Sequence, residues 1–144
     1  MTGERIFLDT VFIQALLNVR DQYHLKAKTL LPRVQSAVEV WVTEAVLIEV
    51  GNALSAFNRT AAIRFIQQCY QTQNMCVVSV DTQLLNRALQ LYQSRLDKAW
   101  GLTDCISFIA MQDQGLIIAA TADQHFVQAG YRALLLVNRS LTGL

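Results

Sequence analysis

The chain has 144 residues, 53% of them hydrophobic and 16% charged, with a formal net charge of +1. This balance suits one folded domain over residues 1–144 and excludes a disordered segment or a strongly basic nucleic-acid arm. No apolar run approaches the roughly 18 residues of a membrane span. The early charges Glu4 and Arg5, with no long apolar stretch behind them, read against a signal peptide.

Short β-rich runs alternate with longer helical ones. Arg5 to Leu8 reads as a first strand and Thr10 to Val19 as an apolar helix. Asp21 to Val38 has helical periodicity, and Pro32 should kink that helix or begin a second one. Val40-Trp41-Val42 is a short strand, after which Thr43 caps a helix to about Phe57. A helix from Thr60 to about Gln71 precedes the strand Met75 to Val80. Asp81 caps Leu84 to about Arg95, and Thr103 caps a helix that ends near Gln114 at the natural stop Gly115. Leu116 to Thr121 is a fourth strand, Asp123 to Gln128 a short helix stopped by Gly130, and Ala133 to Val137 a fifth strand. Strands alternating with helices imply a parallel sheet covered on both faces. The three cysteines, Cys69, Cys76 and Cys105, form no close metal-type pair and read as reduced core thiols of a cytoplasmic protein.

Four carboxylates sit where an apolar pattern would not leave them. Asp9 closes Ile6-Phe7-Leu8, Glu49 interrupts Ala45 to Val50, Asp104 opens Cys105 to Ile109, and Asp123 follows Leu116 to Thr121. No Lys or Arg lies within three residues of Glu49, Asp104 or Asp123, and only Arg5 comes near Asp9. A carboxylate in low dielectric without a partner costs several kcal/mol, and a divalent metal would relieve all four at once. Asp9, Asp104 and Asp123 fall on one rim, where open α/β sheets bind ligands. Each of these three has helix capping as its alternative. Glu49 lies inside its helix, about 140° around from Glu44. It reads as part of a pocket wall, with a buried pair to Arg5 or Arg132 as the alternative. An all-oxygen site suits Mg²⁺ or Mn²⁺. Outside these four, seven acids face twelve bases, so a polyanion would meet a mildly basic body.

Thr10, Ser107 and Thr121 flank the acids and are candidates to orient them, and Asn52 is a candidate partner for Glu49. Arg95, Lys98 and Trp100 precede Asp104 on a loop and are candidates for RNA contact, the cations on phosphate and the indole on a base. Their alternative is surface charge and a packed Trp. The helix bearing Arg20, Lys26, Lys28 and Arg33 is open to the same two readings. His24 and His125 lack ligand spacing, and His125 reads as a structural side chain.

The ordered set Leu8-Asp9-Thr10, Glu49-Val50-Gly51-Asn52-Ala53-Leu54, Thr103-Asp104-Cys105-Ile106-Ser107-Phe108 and Thr121-Ala122-Asp123-Gln124-His125-Phe126 resembles PIN-domain proteins, specifically VapC-like toxins. The resemblance spans almost the whole chain. It implies a three-layer α/β/α fold with a five-stranded parallel sheet in the order 3-2-1-4-5. It also implies a Mg²⁺- or Mn²⁺-dependent endoribonuclease, a homodimer, and a small antitoxin partner. Asp9, Glu49, Asp104 and Asp123 match the family's acidic quartet, while Gly101 stands where Ser is more usual.

The chemistry expected is phosphodiester hydrolysis. Asp9, Glu49 and Asp104 would hold one or two metals against a non-bridging phosphate oxygen, with Asp123 completing a second position or orienting water. In-line attack by water would expel the 3′-oxygen and leave a 5′-phosphate. Three rivals stand beside this reading: a non-catalytic PIN-fold protein-binding module, a nuclease acting on DNA, and a phospho-acceptor receiver. A binding module would carry a degraded quartet. A receiver needs a Lys after the fifth strand, where this chain has Asn138-Arg139. Dimerisation is expected through apolar surface on the early helices.

Overall fold

The computed structural model describes residues 3–136. Its first strand, β1 (Arg5–Leu8), leads into α1 (Thr10–Leu17) and α2 (His24–Gln35). Next come β2 (Glu39–Thr43), α3 (Glu44–Leu54), α4 (Arg59–Gln71) and β3 (Met75–Val78). The chain continues through α5 (Thr82–Ser94), α6 (Leu102–Gln114), β4 (Ile118–Ala120), α7 (Gln124–Gln128) and β5 (Arg132–Ala133).

The five strands form one sheet in the order β3-β2-β1-β4-β5, every neighbouring pair parallel. Phe7 of the central strand faces Trp41 on one side and Ala119 on the other. Right-handed crossovers place α1 to α4 on one face, because β1, β2 and β3 step in one direction. The return to β4 and β5 puts α5, α6 and α7 on the other face. The inner strands are therefore buried on both sides. Ile6, Phe7, Val40, Val42, Ala119 and Ala120 are all buried, the continuous apolar reading expected of a parallel sheet. On the α6–α7 side, Phe108 meets Phe126 and Trp100 edge-on, each at 5.0 Å between ring centroids.

Local chemistry sets most helix ends. The Thr43 hydroxyl accepts from Val46 N–H at 3.2 Å, and Asp81 accepts from Leu84 N–H at 2.8 Å. Gly115 ends α6 at φ +66°, a left-handed conformation that side chains avoid. Two expectations are corrected. Pro32 lies within the last turn of α2, so the helix neither stops nor restarts there. Its missing N–H costs one bond near an end that frays in any case. Gly101, not Thr103, occupies the N-cap of α6, because Asp104 reaches back to its N–H. The fifth strand is confined to Arg132–Ala133, one residue earlier at its start than expected and ending where Leu134 to Leu136 turn away, and Val137 lies outside the described residues, as do Asn138 and Arg139.

Candidate metal centre

Asp9 follows β1 directly, and its N–H extends the pairing with β4 by donating to the Ala120 carbonyl at 3.3 Å. It stands at the N-cap of α1, yet its side chain makes no capping bond. The carboxyl instead accepts from the Thr121 hydroxyl at 2.7 Å, and that same hydroxyl accepts from Asp123 N–H at 3.0 Å. Thr121, fully buried, thus ties the end of β1 to the loop after β4. Asp9 is 4% exposed. No Lys, Arg or His pairs with it among the described residues. Burial pushes its carboxyl up to about 7, with the charges of Asp104 and Asp123 adding to the rise and the Thr121 bond opposing it.

Asp104 sits in the first turn of α6, and its Oδ2 accepts from Gly101 N–H at 3.0 Å and lies 2.8 Å from His125 Nδ1. Burial raises its pKa, while these two bonds act the other way. Asp123 caps α7, its Oδ1 accepting from His125 N–H at 2.8 Å. The His125 ring nitrogen is also 3.4 Å from that oxygen. Asp104, Asp123 and His125 each offer one ligand atom, all within 4.8 Å of one another. Asp9 is not a member of that tight group but is coupled electrostatically to Asp104 and Asp123.

His125 was not expected in the site. The signal lay in its spacing: a residue two after an Asp at a helix start receives that carboxylate on its backbone N–H. Its ring then lies beside the same acid.

Glu49 differs from expectation in a second way. It is exposed, not part of a buried wall, and its α3 neighbours Asn52 and Ala53 are exposed with it. The buried face of α3 is carried by Val46, Leu47, Val50 and Leu54. Neither proposed arginine holds it: Arg5 pairs with Glu39 at 2.7 Å, and no cation pairs with Glu49 among the described residues. Glu49 Oε1 instead accepts from the Thr10 hydroxyl at 2.7 Å, which anchors it to the residue after Asp9. Thr10 and Thr121 therefore both bond site acids. Asn52 makes no side-chain hydrogen bond to Glu49, and the Ser107 hydroxyl, fully buried one turn after Asp104, bonds to nothing among the described residues.

The loop before α6 is largely committed to itself. Trp100 is 7% exposed, donates from Nε1 to Gln128 at 3.0 Å, and stacks edge-on with Phe108. Arg95 lies over its ring at 4.9 Å and forks onto Asp97. The expectation of a base-stacking Trp100 is corrected: the indole is packed in the core and its accessible face is covered by a guanidinium. Lys98 lies 3.9 Å from Asp97, and its side chain is partly exposed.

The donor set fits a hard divalent cation. Carboxylate oxygens dominate, their like charges are crowded on one rim, and Asp9 has no cationic partner among the described residues to offset its burial. Asp104 Oδ1 and Asp123 Oδ2 accept no hydrogen bond among the described residues and remain available as ligands.

Five parallel strands in this order, with acids gathered where β1 and β4 diverge, define a PIN domain. The PIN domain family model matches residues 6–130, and the chain belongs to that family. Among solved structures it is similar to VapC20 of Mycobacterium tuberculosis, described as a sarcin-ricin loop cleaving toxin. That match has a TM-score of 0.79 and 26% identity, covering 88% of this chain and 95% of that one. FitAcB from Neisseria gonorrhoeae matches with a TM-score of 0.61 and 15% identity over 89% of this chain and 94% of that one. VapBC2 from Rickettsia felis, solved bound to a DNA fragment from their promoter, matches with a TM-score of 0.61 and 10% identity over 90% and 96%. At those identities the last two likenesses concern the fold. The chain matches no curated protein by sequence. No helix among the described residues is long and apolar enough to cross a membrane.

Proposed function

We propose that this protein is a divalent-metal-dependent endoribonuclease, the toxin of a toxin–antitoxin pair, built as a single PIN domain. The observation that carries the reading is Asp9: a carboxyl 4% exposed, held by Thr121, and set beside Asp104 and Asp123 with no cationic side chain among the described residues to neutralise it. A fold optimised for stability alone would not crowd acids in this way, because each ionised member raises the cost of the next.

In this reading Asp9, Asp104 and Asp123 hold Mg²⁺ or Mn²⁺, and Glu49 reaches the same rim through Thr10. Thr121 fixes the Asp9 rotamer and the Asp123 backbone with one hydroxyl. The metal, when bound, supplies Lewis acidity toward a phosphate oxygen and a lowered pKa for water. Arg95 and Lys98 lie beside the start of α6, where they would meet a phosphate backbone approaching the acids. An RNA substrate is supported by the likeness to the sarcin-ricin loop cleaving toxin. An antitoxin partner is supported by the FitAB structure solved bound to an IR36 DNA fragment and by the VapBC structures among those matched. A homodimer is supported by apolar side chains left in solvent near the early helices, Val19 and Leu25 above all.

The test is cleavage of ribosomal RNA and tRNA by purified protein with Mn²⁺ or Mg²⁺, beside a DNA strand of matching sequence. Discrete RNA fragments ending in 5′-phosphate, lost on chelation and lost in Asp104→Asn, are expected. Equal cutting of DNA would move the substrate assignment. Undiminished turnover by Asp104→Asn would remove that residue from the mechanism. A monomer mass at every concentration would count against the dimer.

A further inference from the structure

His125 uses two donors on two different acids. Its backbone N–H donates to Asp123 Oδ1 at 2.8 Å, and its ring nitrogen lies 2.8 Å from Asp104 Oδ2. An ionised carboxylate only accepts, so with Asp104 ionised that short contact is a hydrogen bond from the Nδ1–H form of the ring. Gly101 N–H donates to the same Asp104 oxygen at 3.0 Å, so both of its in-plane acceptor directions are taken. The partner oxygens, Asp104 Oδ1 and Asp123 Oδ2, carry no hydrogen bond among the described residues. The ring nitrogen also sits 3.4 Å from Asp123 Oδ1, between the two acids.

From this arrangement we infer that His125 is a positioning residue: an imidazole N–H clamp that turns Asp104 and Asp123 so that one oxygen of each faces the metal. The inference rests on the metal-dependent reading above and adds to it a role for a residue outside the acidic quartet. Two consequences follow from the chemistry. With its proton committed to Asp104, Nδ1 has no free lone pair and is not itself a metal ligand. Removing the clamp frees Asp104 to rotate, and loss of such supporting bonds lowers metal affinity about tenfold or more.

The experiment is Mn²⁺ titration of the whole chain by calorimetry, with pulsed EPR on the Mn²⁺-loaded protein. His125→Ala and His125→Leu should bind Mn²⁺ about tenfold or more weakly than the parent. His125→Asn, whose amide N–H can reach the same Asp104 oxygen, should recover most of the affinity. The EPR of the parent should show no directly bound nitrogen. The leucine variant preserves side-chain bulk should alanine fail to fold. Parent-like affinity in the alanine or leucine variant, no recovery with asparagine, or a directly coordinated nitrogen would each overturn the clamp while leaving the nuclease reading intact. Failure of the parent itself to bind Mn²⁺ or to cleave RNA would overturn both.

Discussion

Replacing Asp9 by asparagine keeps the size of the side chain and an oxygen for Thr121, but removes a charge that the fold holds at a loss. The carboxyl moves from an ordinary 3.8 up to about 7 on folding. Because the folded value is the higher one, the folded chain binds this proton more tightly than the unfolded chain does. Asp9 therefore costs nothing below pH 3.8, costs progressively more as pH rises, and reaches its full cost above about 7. At about 1.4 kcal/mol per pKa unit, the ceiling is about 4 kcal/mol. The opposing Thr121 bond is already included in that net rise, and as an order of magnitude the gain is about 2–4 kcal/mol. At about 3 °C per kcal/mol for a chain of this size, Asp9→Asn should raise the melting temperature at pH 8 by roughly 6–12 °C. The gain should shrink to less than half at pH 5. The assay is a pair of thermal melts in chelator at the two pH values. Mn²⁺ added without chelator should then raise the melting point of the parent by mass action and leave the asparagine variant nearly unmoved. If the variant melts no higher than its parent at pH 8, or gains equally at both pH values, the reasoning from an uncompensated buried acid is wrong.

Thr10→Val removes the one hydrogen bond that the Glu49 carboxylate accepts among the described residues; since Glu49 is exposed, the stability cost should stay under about 1 kcal/mol. RNA cleavage in limiting Mn²⁺ should fall far more than that, and unchanged cleavage would detach Glu49 from the site. Trp100→Phe should lose about 1–3 kcal/mol in a denaturant melt, from the Gln128 bond and a smaller ring. Its KM for RNA should stay within about twofold if the indole is packing and not a base platform; a large rise would restore the stacking role. Gly115→Ala places a Cβ in open space, so only the left-handed backbone resists it. A loss of about 1 kcal/mol by chemical denaturation is expected, with metal binding untouched.

The alternation of strand and helix, the caps Thr43 and Asp81, and the stop at Gly115 were legible because each is decided by residues within one turn of one another. The acids at Asp9, Asp104 and Asp123 were legible for a related reason. Apolar runs mark strands, parallel strands share a C-terminal rim with the N-termini of the following helices, and a carboxylate just past a strand (Asp9, Asp123) or in the first turn of a helix (Asp104) lands there. The resemblance carried by Thr121-Ala122-Asp123 and its companions added the strand order, which periodicity alone leaves open.

Burial and pairing belong to the tertiary structure. Glu49 reads as buried because α3 is apolar on most of its circumference, yet the fold leaves Ile48 63% exposed beside it. Helical period marks which residues share a face and not which face meets the sheet. Trp100, free to stack by its place in a loop, is sealed by Phe108 and Arg95, both of which arrive by packing. His125 looked structural in isolation and became part of the site only when α6 set Asp104 beside it, 21 positions earlier in the chain. What the residues determined by themselves was the inventory of charges and the rim on which they fall. Only folding decided which oxygen each acid turns outward and what holds it, since those contacts join elements far apart in sequence.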